Sequence, residues 1–260
     1  MIRSVSSTFV VLLAASFLGC APSSGTVATT PAPTVRAPAM GTAASGDTIP
    51  ASVRWFRASA ERRAIFLQTY RLATVALERR AAGLPSGSWA VILDADETVL
   101  DNSPYQQELG RLRATFDAAT WNAWVMRGAA AALAGAPEFV RRAHELGGRV
   151  VIVTNREQAQ CDATRANLQR VGIAADAVLC KTDPSNSFKD ARFEAVAAGS
   201  PPSPLPPVRV VMWVGDNVQD FPRLRQDLRS ANNSAFAEFG DRFIVLPNPM
   251  YGSWERNALP

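Results

Sequence analysis

Histidine and cysteine are scarce in this sequence of 260 residues, which contains one histidine and three cysteines. A single histidine cannot build a histidine-rich dinuclear metal site, and His144 lies in a predicted helix, where we expect a solvated side chain. No cysteine has an arginine six residues after it, and no Gly-x-Ser-x-Gly motif occurs. These absences exclude enzymes that use a histidine, cysteine or serine nucleophile in those settings.

A strong charge of one sign is also missing. The formal net charge is +4, the pI is about 9.3, and the excess is spread without a long run of like charges. Such a mild excess is poor evidence for a nucleic acid polymer as partner. Hydrophobic residues make up 47% and charged residues 19%, which is ordinary for a globular protein. The length therefore suits one sizeable α/β domain.

The apolar run at residues 9–18 is too short to span a bilayer as a mature helix, and with Arg3 before it the run is typical of an export signal. It ends in Phe17-Leu18-Gly19-Cys20, which resembles the lipobox of bacterial lipoproteins. We predict a signal peptide at 1–19, a lipidated Cys20 with a flexible tether at 20–50, and a folded domain at 51–260. The alternative is an ordinary cleaved signal peptide with a chance cysteine.

Two cysteines, Cys161 and Cys180, remain in the predicted domain, in a compartment that we expect to be oxidising. A disulfide between them would contribute about 3 kcal/mol by chain entropy. Two buried free thiols are an equally good alternative, because the sequence does not give their separation in space.

Apolar runs alternate with helical patterns after residue 88. Residues 52–80 lack glycine and proline and predict a long helix or a helix pair. Strands are predicted at 89–93, 149–153, 177–179, 208–214 and 243–246, and helices at 117–126, 137–146, 157–171 and 188–198, with further helices after 214. Alternating strands and helices predict a Rossmann-like parallel sheet with helices on both faces, plus an added helical subdomain at the N-terminus.

Polar and charged residues stand at the carboxyl ends of the predicted strands or at the start of the helix that follows. They are Asp94, Asp96, Thr154, Asn155, Lys189, Asp216 and Asp220. Ligands of such sheets bind beyond these strand ends, and carboxylates gathered there repel one another unless a cation compensates. Hard oxygen ligands suit Mg²⁺, so we predict phosphoryl transfer with Mg²⁺ as cofactor. Asp94 can then act as covalent nucleophile, and Asp96 as acid and base.

These motifs in this order resemble the haloacid dehalogenase (HAD) superfamily, and within it the class C bacterial acid phosphatases. The resemblance covers nearly all of the predicted domain and includes residues 101–105, the Trp121 and Trp124 pair, residues 154–157, and the decapeptide at 246–255. It implies the haloacid dehalogenase fold and a Mg²⁺-dependent acid phosphatase of the 5′-nucleotidase type. It further implies small phosphomonoester substrates, a lipoprotein of the outer membrane and a homodimer.

The resemblance also implies a role for each site residue. Asp94 would be the nucleophile and Asp96 the acid and base, while Thr154, Asn155 and Lys189 would bind phosphate. The metal ligands would be Asp94, the main-chain carbonyl of Asp96, and Asp216, with Asp220 in or beside the metal shell. Arg192 is expected to order the acidic loop at 216–220, and Lys181 is expected to be solvated.

Aromatic rings line the mouth of the site in that family and stack on the leaving group. The candidates are Tyr105, Trp121 and Tyr251, since a ring face favours a nucleobase. For Trp121 and Tyr251, packing within the protein is an equally good alternative. For Trp124 and Trp254 we expect packing in the core or at an interface.

Two other functions fit the same residues. One is a phosphotransferase that passes the phosphoryl group from an aspartyl phosphate to an alcohol. The other is a non-enzymatic, ligand-binding surface lipoprotein that keeps the fold. The presence together of Asp94, Asp96, Lys189 and Asp216 favours the enzyme.

Overall fold

A computed structural model describes residues 49–259 of the chain. The predicted signal peptide, Cys20 and nearly all of the predicted tether lie outside the described residues. Within residues 49–259, no helix is both long and apolar enough to cross a membrane.

Residues 49–259 form seven α-helices and seven β-strands, besides short 3₁₀ turns. The helices are α1 (Ala51–Ala58), α2 (Ala60–Ala81), α3 (Ser103–Leu112), α4 (Ala118–Met126), α5 (Ala136–Glu145), α6 (Cys161–Arg170) and α7 (Asp190–Ala198). The strands are β1 (Trp89–Leu93), β2 (Leu100–Asp101), β3 (Ala131–Ala132), β4 (Arg149–Glu157), β5 (Ala177–Lys181), β6 (Arg209–Gly215) and β7 (Phe243–Val245).

Five of the strands form one parallel sheet in the order β5-β4-β1-β6-β7. Strand β1 is buried along its whole length, and its side chains alternate between two hydrophobic clusters. Val91 and Leu93 belong to the cluster that includes α2 and α5, while Ala90 and Ile92 belong to the one that includes α7. A sheet covered on both faces explains why its strands read as continuous apolar runs. The predicted Rossmann-like fold is confirmed.

The N-terminal region is the helix pair rather than one long helix. Ser59 interrupts it, because its extended backbone ends α1 and its side chain accepts a hydrogen bond from the Arg62 N–H at the start of α2. Helix α2 also supports the segment after β1: the Tyr70 hydroxyl donates to the Thr98 carbonyl at 2.8 Å, and Arg62 pairs with Asp101 at 2.9 Å. The pair is therefore an integral part of the domain.

Three parts of the chain differ from the sequence prediction. Helix α3 and the antiparallel pair of β2 and β3 were not predicted. Strands of two residues carry no hydrophobic periodicity, which explains why the pair was missed. Strand β4 extends to Glu157, so Thr154 and Asn155 lie in its last residues rather than after it. The helices predicted after residue 214 are wrong, because the described chain forms only short 3₁₀ turns there.

Cys161, the first residue of α6, forms a disulfide with Cys180 of β5. The structure thus has the disulfide and not the two free thiols. His144 lies in α5 as predicted and its side chain is 33% exposed, and its Nε2 also lies 2.9 Å from Asp176 Oδ2. Asp176 also accepts from the Val150 N–H and from Arg149. It thereby ties the start of β4 to the turn before β5.

Candidate active site

The carboxyl ends of β1, β4 and β6 meet at one edge of the sheet, because these strands are neighbours and run in the same direction. A cavity of about 720 Å³ opens there. Its walls include most of the residues that the sequence singles out: Asp94, Asp96, Asn155, Lys189, Asp216 and Asp220. Thr154 is fully buried and lies behind the cavity wall.

Three carboxylates form the floor of the cavity. Asp94, Asp216 and Asp220 each offer an oxygen, and these oxygens all lie within 4.8 Å of one another. Lys189 is 3% exposed, and its ammonium group contacts Asp94 Oδ1 and donates to Asp220 Oδ1 at 2.7 Å. One lysine thus faces three acids, and the cluster is short of positive charge.

The pKa values reflect this imbalance. Burial raises the pKa of Asp94 to about 7 against the opposing charge of Lys189, and Asp220 and Asp96 add to the rise. Burial, together with Asp220 and Asp94, raises the pKa of Asp216 well above its ordinary value. For Lys189, burial alone would lower the pKa, but the carboxylates of Asp220 and Asp94 outweigh it and raise the pKa. A divalent cation would relieve the repulsion between the acids.

The donor set fits a hard divalent cation. Asp220 has both oxygens engaged, Oδ1 by Lys189 and Oδ2 by the Asn217 N–H at 2.9 Å. Asp216 is held in the same way, since Asn248 Nδ2 donates to Oδ2 at 2.8 Å and Thr98 Oγ1 donates to Oδ1 at 3.3 Å. A carboxylate oxygen has two lone-pair sites, so each acid keeps a site for a metal. Asp94, Asp216 and Asp220 are therefore all candidate side-chain ligands, and oxygen ligands are those that Mg²⁺ prefers.

The side chain of Asp220 packs directly against Gly215, the last residue of β6. A Cβ added to Gly215 would lie 2.3 Å from the Cβ of Asp220. Any larger residue at 215 would therefore push the loop at 216–220 away from Lys189.

Arg192 does not order the acidic loop as expected. Its guanidinium donates to the Thr154 carbonyl and, at 2.6 Å, to Asn155 Oδ1. The end of β4 is thus what Arg192 holds in place. Its neighbour Asp190 accepts from the Arg223 N–H and from the Arg225 side chain, each at 2.6 Å, and so fixes the chain just after the acidic loop.

Asp96 also lines the cavity, but its carboxylate is bound by Arg156 rather than by Lys189. Arg156 Nη2 donates to Asp96 Oδ1 at 2.7 Å, and Arg156 Nε donates to the same oxygen at 3.0 Å. Asn102 Nδ2 donates to Oδ1 as well, at 2.8 Å. Within residues 49–259, Asp96 Oδ2 has only a longer contact of 3.3 Å from Arg156 Nε. The prediction from sequence assigned no role to Arg156 or Asn102, although Arg156 directly follows the predicted phosphate-binding pair, Thr154 and Asn155.

A second polar contact joins the C-terminal segment to the same loop. Glu97 is fully buried with a φ of 54°, and it accepts from the Asn102 N–H and from the Tyr251 hydroxyl. Burial raises the pKa of Glu97 well above its ordinary value, and the nearby Asp96 and Asp216 add to the rise. Tyr251 is thereby fixed at the cavity wall, which it lines.

The aromatic candidates divide into two groups. Trp121 and Tyr251 line the cavity, together with the 63% exposed Phe116, which the sequence reading missed. Tyr105 is 4% exposed and packs edge-on against Trp121 with ring centroids 5.3 Å apart. In this structure the Tyr105 ring cannot present a face to a ligand, so its predicted stacking role is wrong.

Trp124 and Trp254, the two tryptophans for which packing is expected, differ from each other. Trp124 is buried, as expected, and its Nε1 donates to Asn102 Oδ1 at 2.8 Å. Trp254 is 42% exposed, which excludes packing in the core. Its indole lies so close to Gly252 that a Cβ there would be 2.7 Å from the ring.

The side chain of Lys181 contacts only the Pro184 carbonyl among the described residues, at 3.3 Å, consistent with the expected surface position.

Comparison with known protein families agrees with this geometry. Residues 20–254 match the family described as HAD superfamily, subfamily IIIB (Acid phosphatase). The chain belongs to this family. The family resemblance inferred from the motifs is therefore confirmed, and it places the chain among phosphomonoesterases.

Two solved structures are similar over most of the chain. A class C acid phosphatase from Bacillus anthracis has 32% sequence identity and a TM-score of 0.70, over 78% of this chain and 85% of that one. The same class of enzyme from Bacillus anthracis with tungstate bound gives 31% identity, a TM-score of 0.69 and the same coverage.

Plant proteins are more distant relatives. The stem 31 kDa glycoprotein of Glycine max is 28% identical over 166 residues, which is 62% of this chain and 58% of that protein. Acid phosphatase 1 of Solanum lycopersicum is 32% identical over 82 residues, which is 32% of each protein. The chain thus matches less than two thirds of the length of either plant relative.

Proposed function

We propose that this protein is a Mg²⁺-dependent acid phosphatase that hydrolyses phosphomonoesters through an aspartyl phosphate. The observation that carries the proposal is the grouping of Asp94, Asp216, Asp220 and Lys189 on the floor of one cavity. A carboxylate nucleophile, a cation site and a fixed ammonium group are the parts that phosphoryl transfer requires. The bound tungstate of the Bacillus anthracis relative is a tetrahedral oxyanion like phosphate, and it supports an oxyanion site in this fold.

The proposed reaction has two displacements. An oxygen of Asp94 attacks phosphorus, the bond to the leaving oxygen breaks, and Asp96 gives a proton to that oxygen. Water then attacks the phosphorus of the aspartyl phosphate, Asp96 takes a proton from the water, and inorganic phosphate leaves with Asp94 restored. Mg²⁺ held by Asp94, Asp216 and the Asp96 carbonyl would supply positive charge against the phosphoryl oxygens. Lys189 and Asn155, which line the same wall, would bind the remaining oxygens.

We further propose that the substrates are nucleoside 5′-monophosphates. Every phosphomonoester makes the same phosphate and metal contacts, so selectivity must come from the residues that touch the leaving group. Trp121 and Tyr251 stand on the cavity wall, where a base could stack on either ring. Each stack contributes about 1–3 kcal/mol.

The test compares kcat/KM for a nucleoside monophosphate and a small alkyl phosphate. Trp121→Ala and Tyr251→Ala should each lower the nucleotide value by roughly one to two orders of magnitude and leave the alkyl value nearly unchanged. Tyr251→Phe is a control for the hydroxyl bond to Glu97, and Trp254→Ala is a control for loss of a tryptophan outside the cavity. A selectivity ratio that stays within about twofold in both alanine variants would refute the nucleotide assignment.

We also propose that the protein is exported and anchored to the bacterial outer membrane by a lipid on Cys20. The lipobox-like sequence before Cys20 supports this location. Cys20→Ser should release the protein from the membrane fraction or leave an uncleaved precursor. Normal processing with unchanged membrane association would contradict the anchor.

Sedimentation of the detergent-solubilised protein would test the homodimer that the family resemblance implies.

A further inference from the structure

The guanidinium of Arg156 lies between Asp96, the proposed acid, and Trp121, a proposed binding residue for the leaving group. The side chain of Arg156 is 1% exposed, so its charge is removed from water. One side of the guanidinium meets the carboxylate of Asp96, and its carbon lies 5.6 Å from the centre of the Trp121 ring. Nη2 also donates to Asn102 Oδ1 at 3.2 Å, and Nη1 donates to Oγ1 of Thr164 in α6 at 3.2 Å. A buried guanidinium with all its groups engaged is held in a single orientation.

The contacts to Asp96 are unequal between its two oxygens. Oδ1 accepts from Arg156 Nη2, Arg156 Nε and Asn102 Nδ2, whereas Oδ2 accepts only a longer bond of 3.3 Å from Arg156 Nε. A carboxylate oxygen has two lone-pair sites, so three donors leave no room for a proton on Oδ1. Oδ2 is then the oxygen that can carry the proton for the leaving group. The two oxygens are equivalent in the free carboxylate, so what the donors fix is the direction in which the oxygen free for a proton points.

We propose that Arg156 is a positioning residue that fixes Asp96 Oδ2 as the proton-bearing oxygen and also supports the Trp121 ring. The inference rests on the proposed function, because it takes Asp96 to be the general acid. It adds a residue that links acid catalysis to binding of the leaving group. A side chain that orients both groups sets the distance between the proton and the leaving oxygen of a ligand held on Trp121.

Arg156→Lys tests the proposal, since lysine keeps the charge but cannot supply the planar pair of donors. We expect kcat/KM for alkyl phosphates, which reports the first displacement and needs a proton on the leaving oxygen, to fall at least about tenfold. For 4-nitrophenyl phosphate, whose leaving group needs little protonation, the loss in kcat/KM should be less than about threefold. KM for a nucleoside monophosphate should also rise, because the Trp121 ring loses its support. Trp121→Ala is the matched control: it should raise that KM and keep the wild-type dependence on the leaving group.

A second variant covers the case in which Arg156→Lys does not fold. Thr164→Val removes the partner of Nη1 without touching Asp96, and it should give a smaller loss that is still selective for alkyl phosphates. Thermal melting establishes that each variant is folded. Equal losses of kcat/KM on alkyl and 4-nitrophenyl phosphate, or wild-type kinetics in a folded variant, would overturn the inference. A wild-type protein without phosphatase activity would instead overturn the proposed function.

Discussion

Removal of the disulfide between Cys161 and Cys180 should lower stability without lowering activity. The two cysteines are 19 residues apart in the sequence, and a loop of that size gives about 3 kcal/mol of stabilisation by chain entropy. For a domain of this length, 1 kcal/mol shifts Tm by about 2–4 °C, so the variant Cys161→Ala/Cys180→Ala should melt roughly 6–12 °C below wild type. Neither cysteine lines the cavity, so kcat at low temperature should stay unchanged.

The assay is thermal unfolding of a soluble form that begins at Ile49 and therefore lacks Cys20. Reductant should lower the Tm of the wild-type form by the same amount as the double substitution, and it should not affect the double variant. Activity measured well below both melting temperatures separates stability from catalysis.

Two outcomes would refute the reasoning. A fully reduced wild-type protein with an unchanged Tm would show that the loop contributes nothing to the unfolded-state entropy. A loss of kcat in a folded double variant would show that the disulfide positions the site, through the start of α6 or through the chain between β5 and Lys189.

Three further predictions concern the site and the surface. Asp94→Asn should keep the fold and reduce turnover to about one per cent or less, because an amide is not a competent nucleophile; mass spectrometry must exclude deamidation, and higher residual activity would contradict covalent catalysis. Mg²⁺ at 100 times its Kd should add about 2.7 kcal/mol to the free energy of unfolding. The rise in Tm should be reversed by EDTA and largely absent in Asp216→Asn; a wild-type Tm that does not change with Mg²⁺ would contradict the metal site. Burial opposes ionisation of Asp176, but hydrogen bonds from Val150, His144 and Arg149 outweigh it and lower its pKa. A lowered carboxyl pKa stabilises the fold above the unfolded value near 3.9, so Asp176→Asn should cost roughly 1–2 kcal/mol at neutral pH and progressively less below about pH 4; a pH-independent difference in denaturant unfolding would contradict the charge argument.

Most of the parallel sheet could be predicted from the sequence, because strands buried on both faces carry continuous apolar runs. Strand β1 shows this with five buried residues. The same topology made the grouping of Asp94 and Asp216 predictable, since β1 and β6 are adjacent and end at one edge. Short elements such as β2 and β3 could not be predicted, because a pairing of two residues is decided by the chain around it.

The direction of individual side chains was the least predictable part of the site. Tyr105 and Trp121 belong to the same stretch of the chain and have similar chemistry, yet only Trp121 reaches the cavity. The partner of Arg192 and the pairing of Arg156 with Asp96 depend on packing between distant elements. Sequence spacing gives the strand end on which such a residue lies, but tertiary contacts decide what it touches.

The bond between Tyr70 and the Thr98 carbonyl has a practical consequence for preparing the protein. Thr98 lies four residues after the proposed nucleophile, and Tyr70 is 2% exposed in the middle of α2. A shortened gene that starts at the first sheet strand would delete this support along with the Arg62 pair, and would expose the apolar face that α2 covers. Expression trials for crystallisation should therefore truncate before residue 50 and not at the apparent edge of the sheet.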